Sequence, residues 1–172
     1  PAIIPRSFDE IKQKIKLLEP FIFRQDSEEP PIRTVQIDIG DGKFTGNVTW
    51  NNPYELSGFS LPVKAEVHLM VADSLGEAKR WVRSGVTKII THIETTPDPA
   101  AVSKLCHDAG IEYGLALKSE TSSEKIIPWI NNIDSVLFLS ESFPGLGGQK
   151  FIPATLDKIK AANPDIPVIM LS

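Results

Sequence analysis

Two hydrophobic periods alternate along this chain, and no other feature limits its fold so tightly. Short runs with strand character recur at Ala2-Ile3-Ile4, Thr34 to Ile39, Val63 to Val71, Lys88 to Ile93, Gly114 to Lys118, Ser135 to Ser140 and Val168 to Leu171. Between them lie segments whose apolar residues repeat every three or four positions, the spacing of one helix face. Phe8, Ile11, Ile15 and Leu18 form the first such stripe. Leu75, Ala78, Trp81 and Val82 form another, opened by Ser74 and Glu77 as a capping box. A third runs from Pro99 to Ala109 and stops at Gly110; Thr121 with Glu124 predicts a capping box for a fourth, and Pro153 to Ala162 reads as a fifth. The stretch from Arg24 to Pro31 is charged and proline-bearing and reads as a surface loop. The crossover from Asn47 to Pro62 is the least regular.

Strand and helix in strict alternation predict βαβ units and a parallel sheet. No G-x-G-x-x-G follows the first strand, which argues against a dinucleotide fold and for an α/β (β/α)8 TIM barrel. Seven strands in 172 residues fall short of a barrel's eight strands and about 250 residues. The expectation is therefore a single barrel domain over residues 1–172, incomplete at the C-terminus, with the final strand and helices missing. Unpaired edges on strands one and seven favour association, so a homo-oligomer is expected.

Composition excludes several function classes. A net charge of −4 and a pI near 5.4 supply no basic field for a phosphate backbone, so nucleic acid is not an expected partner. Cys106 is the single cysteine, which excludes an internal disulfide framework and a cysteine zinc site; it reads as a buried small hydrophobe on a helix. No apolar run approaches the roughly 20 residues of a spanning helix, and no signal-peptide pattern opens the chain. No membrane partner is expected, and the cytoplasm is the expected location.

Strand parity locates the chemistry. Side chains alternate across a strand, so Val35, Ile37 and Ile39 share the face that meets helices, while Gln36, Asp38 and Gly40 share the other. By the same argument Val67 and Leu69 point outward and Glu66, His68 and Met70 inward. A carboxylate and an imidazole inside a barrel are costly unless they pair or bind something. Asp38 and His68 also fall toward the C-terminal strand ends, where barrels of this kind place their active sites. His92 and Glu94 share that parity on strand four and are candidates for substrate contact or for a structural role. Asp41-Gly42 reads as turn chemistry, and His107 as solvated helix surface.

A second signal is PGLGGQKF, Pro144 to Phe151, between strand six and a helix started by Pro153. Its three glycines let the backbone approach a ligand and expose successive N–H groups, a nest that suits a phosphate.

Taken in order, DGKF after strand two, EVHLMV on strand three, THIE on strand four, GLALK on strand five with Pro128-Trp129, and PGLGGQKF after strand six resemble the ribulose-phosphate 3-epimerase family over nearly the whole chain. The resemblance implies a barrel of the ribulose-phosphate-binding type, an isomerase that epimerises D-ribulose 5-phosphate to D-xylulose 5-phosphate in carbohydrate metabolism. It implies metal-assisted proton transfer at C3 between two carboxylates, with a divalent metal (Fe, Zn or Mn). Asp38 falls on the family's first acid/base and metal ligand, and His68 on its strand-three ligand. Met70 matches a pocket methionine, and Gly145, Leu146, Gly147 and Gly148 match the loop that binds the sugar phosphate.

The departures from the family pattern are specific. Gln36 stands where the family has a second histidine ligand on strand two. Gly40 and Ser140 replace pocket methionines, and Pro5 stands opposite a substrate-binding serine. Strand seven of the family ends in an aspartate that is both second acid/base and fourth ligand; here Leu171 or Ser172 falls there. Two of four expected ligands are thus not found, which implies impaired or altered activity. The competing reading is a non-catalytic sugar-phosphate-binding or assembly protein on the same fold. A lyase or decarboxylase on a related barrel ranks last, since it would want a lysine placed among carboxylates on the inner strand face.

Overall fold

The computed structural model describes residues 1–24 and 29–140 and the backbone of residues 168–171. Seven parallel strands lie in sequence order: β1 (Ala2–Ile3), β2 (Thr34–Gly40), β3 (Lys64–Met70), β4 (Lys88–His92), β5 (Glu112–Leu117), β6 (Ser135–Leu139) and β7 (Val168–Leu171). Each hydrogen-bonds the next, and the order fits the (β/α)8 barrel that the alternation of periods predicts. The register sets Asp38 beside His68 and His68 beside Ile90.

Among the described residues four helices lie between strands: α1 (Phe8–Ile22), α2 (Pro53–Ser57), α3 (Ser74–Trp81) and α4 (Pro99–Asp108). Ser7 caps α1 by accepting from Glu10 N–H at 3.2 Å, while Glu10 reaches back to Arg6 N–H at 2.8 Å. Two orphan donors are satisfied reciprocally, which defines the start of α1. Helix α4 opens with Asp98 accepting from Ala101 N–H and Pro99 in its first turn, and stops at Gly110, whose φ of 74° is open to glycine at no steric cost.

Two predicted caps are corrected. Helix α3 is capped by Asp73, whose carboxylate accepts from Gly76 N–H at 2.9 Å; Ser74 is buried inside the first turn and bonds Thr95. Asp73 and Ser74 are both good cap residues, and the carboxylate wins because it fits over Gly76, where a Cβ would lie 2.1 Å from Asp73 Oδ2. The helix expected after Thr121 is instead two 3₁₀ turns, Ser123–Lys125 and Ile127–Asn132. Ser122 caps the first of them, Pro128 removes a backbone donor in the second, and the Thr121 hydroxyl is committed elsewhere. The predicted helix from Pro153 lies outside the described residues.

Parity holds along every inner strand. Val35, Ile37, Ile39, Val67, Leu69, Ile89, Tyr113, Leu115 and Phe138 join the helices in one core, whereas Ile90, Ala116, Leu137 and Leu139 form a separate cluster on the other face. The irregular crossover after β2 is held by aromatic packing rather than by a long helix. Trp50 stacks on Phe8 at 5.5 Å and meets Trp81 edge-on at 5.8 Å, and Asn51 accepts from Trp81 Nε1 at 2.9 Å. Cys106 is fully buried, and burial pushes its thiol up to about 12. None of the helices among the described residues is long and apolar enough to cross a membrane.

Candidate active site

The inward-facing residues of β2, β3 and β4 meet in one buried polar cluster. Asp38 is 6% exposed and His68 1%, so neither charge nor imidazole reaches bulk water easily. Gln36 Nε2 donates to Asp38 Oδ1 at 2.7 Å, and His68 Nδ1 lies 3.2 Å from the same oxygen. Gln36 and Asp38 are two residues apart on β2, so the strand itself stacks amide over carboxylate; β3 in register brings the imidazole alongside. On its other side, His68 Nε2 sits 2.8 Å from His92 Nε2, the two rings being nearly parallel. His92 Nδ1 in turn sits 3.1 Å from Glu94 Oε2.

Glu94 lies on a 3₁₀ turn, Ile93–Thr95, and not on β4 as its parity suggested. Its Oε1 accepts the Lys118 backbone N–H at 3.0 Å and the Thr121 hydroxyl. Burial works against the charge of Glu94, but His92, Thr121 and Lys118 N–H outweigh it and hold the carboxyl down to about 2. Burial is also the main influence on His92; it pushes the ring down to about 4 against the pull of Glu94. The Phe44 ring covers His92 at 4.7 Å, and Lys118 Nζ lies 4.1 Å from the centre of that ring.

Other predicted residues find separate places. Met70 is buried one position beyond Leu69 at the end of β3. Asp41 is turn chemistry with an added reach. Its Oδ1 accepts from Lys43 and Phe44 N–H, and its Oδ2 accepts from Ala72 N–H at 2.7 Å, tying the loop after β2 to the loop after β3. Burial opposes ionisation of Asp41, yet these backbone donors hold its carboxyl below the usual range. His107 is exposed on α4 and bonds Asp134 at 2.8 Å. Gly145, Leu146, Gly147 and Gly148 lie outside the described residues.

Gly40 has a physical cause. A Cβ there would stand 2.7 Å from Thr45 Oγ1 and 2.8 Å from Asn47 O, because the chain folds back so that Thr49 Oγ1 accepts from Gly40 N–H at 2.8 Å. Any side chain at this position would force the segment from Thr45 to Thr49 to shift.

Among the described residues no three His, Cys, Asp or Glu side chains surround a common point. Around Asp38 the cluster instead brings together that carboxylate, the His68 imidazole and the Gln36 amide, and Gln36 Oε1 is buried with no hydrogen-bond partner. Hard oxygen donors beside an imidazole nitrogen fit a divalent cation, and an orphaned carbonyl oxygen is otherwise costly. Asp38, His68 and Gln36 are thus the residues that could hold one.

The chain matches the model of the Ribulose-phosphate 3 epimerase family over residues 23–169. It belongs to that family. It is 33% identical over 135 residues to the ribulose-phosphate 3-epimerase of Chlamydia muridarum, covering 77% of this chain and 58% of that protein. The corresponding Chlamydia trachomatis protein is 31% identical over 144 residues, covering 83% and 61%. For Bacillus subtilis the values are 28% over 164 residues, 93% and 70%. The chain spans about three fifths of the length of the two chlamydial relatives.

The THIE motif of the family resemblance contains His92 and Glu94, and their link to His68 was half visible in sequence. Parity put His92 on the same face as His68 without predicting their contact, whereas Thr121 as the partner that locks Glu94 had no local signal.

Proposed function

We propose that this chain acts on a phosphorylated pentose, removing a proton from the carbon next to its ketone, as in the interconversion of D-ribulose 5-phosphate and D-xylulose 5-phosphate. The observation that carries this reading is the buried Asp38 carboxylate on β2, hydrogen-bonded by Gln36 and flanked by His68, in a chain of the epimerase family.

Asp38 is the base. Its hydrogen bonds among the described residues fall on Oδ1, which orients the carboxylate before substrate arrives. Its burial keeps water away from the proton it takes and strengthens its interaction with a developing charge. Met70 supplies an apolar wall, and Gly145, Leu146, Gly147 and Gly148, by the family resemblance, are the residues assigned to the sugar's phosphate. Asp38, His68 and Gln36 Oε1 would hold the divalent cation, Fe²⁺, Zn²⁺ or Mn²⁺. When bound, it polarises the ketone as a Lewis acid. Full inversion needs a second acid on the opposite face of the carbon, and Val168 to Leu171 of β7 carries no carboxylate.

One observation favours a second reading, a sugar-phosphate-binding or assembly protein without turnover. The Gln36 amide already places a donor on Asp38 where the family resemblance has a histidine, so the carboxylate is satisfied without a cation. The experiment that separates the two is conversion of ribulose 5-phosphate to xylulose 5-phosphate with each metal, alongside calorimetric binding of ribulose 5-phosphate. Metal-dependent product supports the epimerase. Binding without product supports the second reading, and neither binding nor product contradicts both.

A further inference from the structure

Helix α2 has five residues and is about 7.5 Å long, whereas the strands it connects, β2 and β3, have seven residues each and run about 23 Å. A helix that short does not cover them from end to end. A cavity of about 840 Å³ lies at their N-terminal ends, between the close of α1 and the segments that lead into β2, β3 and β4. Phe23, Leu56, Phe59, Leu61 and Val63 supply its apolar wall. Phe23 is 63% exposed and Phe59 37%, the latter ring held edge-on against Phe8 at 5.5 Å. Both leave apolar surface in water that a bound molecule would cover.

The polar side of the cavity has one sign. Arg33 and Lys64 are the charged side chains among the described residues that line it, and no Asp or Glu of that set joins them. Arg33 shares the parity of Val35 and Ile37, which places it on the helix side of the sheet, where the cavity opens. Lys64 stands one strand over, its N–H bonded to Arg33 O at 3.0 Å. Neither makes an ion pair among the described residues, whereas Arg24, Arg80 and Lys88 each do. In a chain of net charge −4, two neighbouring cations without an acidic partner set a local field against the global one.

We infer that this cavity binds a small organic anion, an apolar or aromatic body that carries one carboxylate, sulfonate or phosphate group. The body lies against Phe59, Leu61 and Val63, and the anionic group meets Arg33 and Lys64 in charge-assisted hydrogen bonds. A mostly apolar lining with a few placed polar groups, at this volume, suits a molecule of drug size. The cavity is separate from the candidate active site. Thr34 and Lys64 precede Asp38 and His68 by four positions on the same paired strands, about 13 Å along them. Binding there asks nothing of the epimerase reading.

The probe is anilinonaphthalene sulfonate, titrated by fluorescence into the folded full chain, beside phenylnaphthylamine, the same ring system without the anionic group. One sulfonate should bind per chain, and the uncharged amine at least about tenfold more weakly. Arg33→Gln and Lys64→Gln, both at exposed positions, should each weaken the sulfonate about three- to tenfold. Lys125→Gln removes the same charge outside the cavity and should leave the affinity unchanged. Decanoate should displace the probe. Equal affinity for the two probes, a sulfonate affinity untouched by both cavity variants, or no binding by the folded chain overturns the assignment. A chain that sediments as a dimer, binds no probe and becomes monomeric in Phe59→Ser gives this face to a second copy and overturns it as well.

Discussion

The two faces of β2 and β3 are built from the same backbone and spend it differently. On the helix side, Val35, Ile37, Ile39, Val67 and Leu69 are all fully buried among aliphatic neighbours. On the opposite side, Gln36, Asp38 and His68 are nearly as buried but bond one another. Apolar burial contributes roughly 25 cal/mol per Å² removed from water, whereas a buried carboxylate must recover its lost hydration from each hydrogen bond it makes. The outer face is thus stabilised by apolar burial, and the inner face holds polar groups that must satisfy one another.

Three changes can break or sharpen that division. Trp81 is fully buried in the helix layer over the outer face. Trp81→Ala should cost about 3–5 kcal/mol of unfolding free energy in urea, and a cost below about 1 kcal/mol would remove the outer face from its role. Gly40 is the inner-face residue whose side chain has no room. Gly40→Ala should cost about 1–3 kcal/mol through Thr45 and Asn47; a neutral result would show that the loop yields freely.

The third change is made with acid. The Glu94 carboxyl is lowered from 4.5 to about 2 in the folded chain, so the unfolded chain binds its proton first as pH falls. The stability it contributes is present above pH 4.5 and is lost as pH falls toward about 2. The difference in melting temperature between the wild type and Glu94→Gln should therefore shrink over that window. A difference constant with pH would mean that Glu94 carries no such charge.

Sequence made much of this arrangement legible, because a period of two assigns every residue of β2 and β3 to a face. Gln36, Asp38 and His68 were placed together by parity alone. What escaped depended on contacts between distant segments. Asp73 took the cap from Ser74 because of Gly76 beneath it, a choice of one residue that propensity does not resolve. Thr121 matched a capping box, yet its hydroxyl binds Glu94 from 27 positions away. At Gly40 the sequence offered no sign of the segment from Thr45 to Thr49 that returns against it and leaves no space for a side chain.

The proposed role of Asp38 as a base is read by solvent deuterium entering C3 of ribulose 5-phosphate. Exchange is expected in the wild type with Fe²⁺, Zn²⁺ or Mn²⁺, slowed roughly 10²–10⁴-fold in Asp38→Asn while the urea midpoint stays near that of the wild type. Exchange at the wild-type rate in Asp38→Asn, or none from the folded wild type with any of these metals, would contradict it.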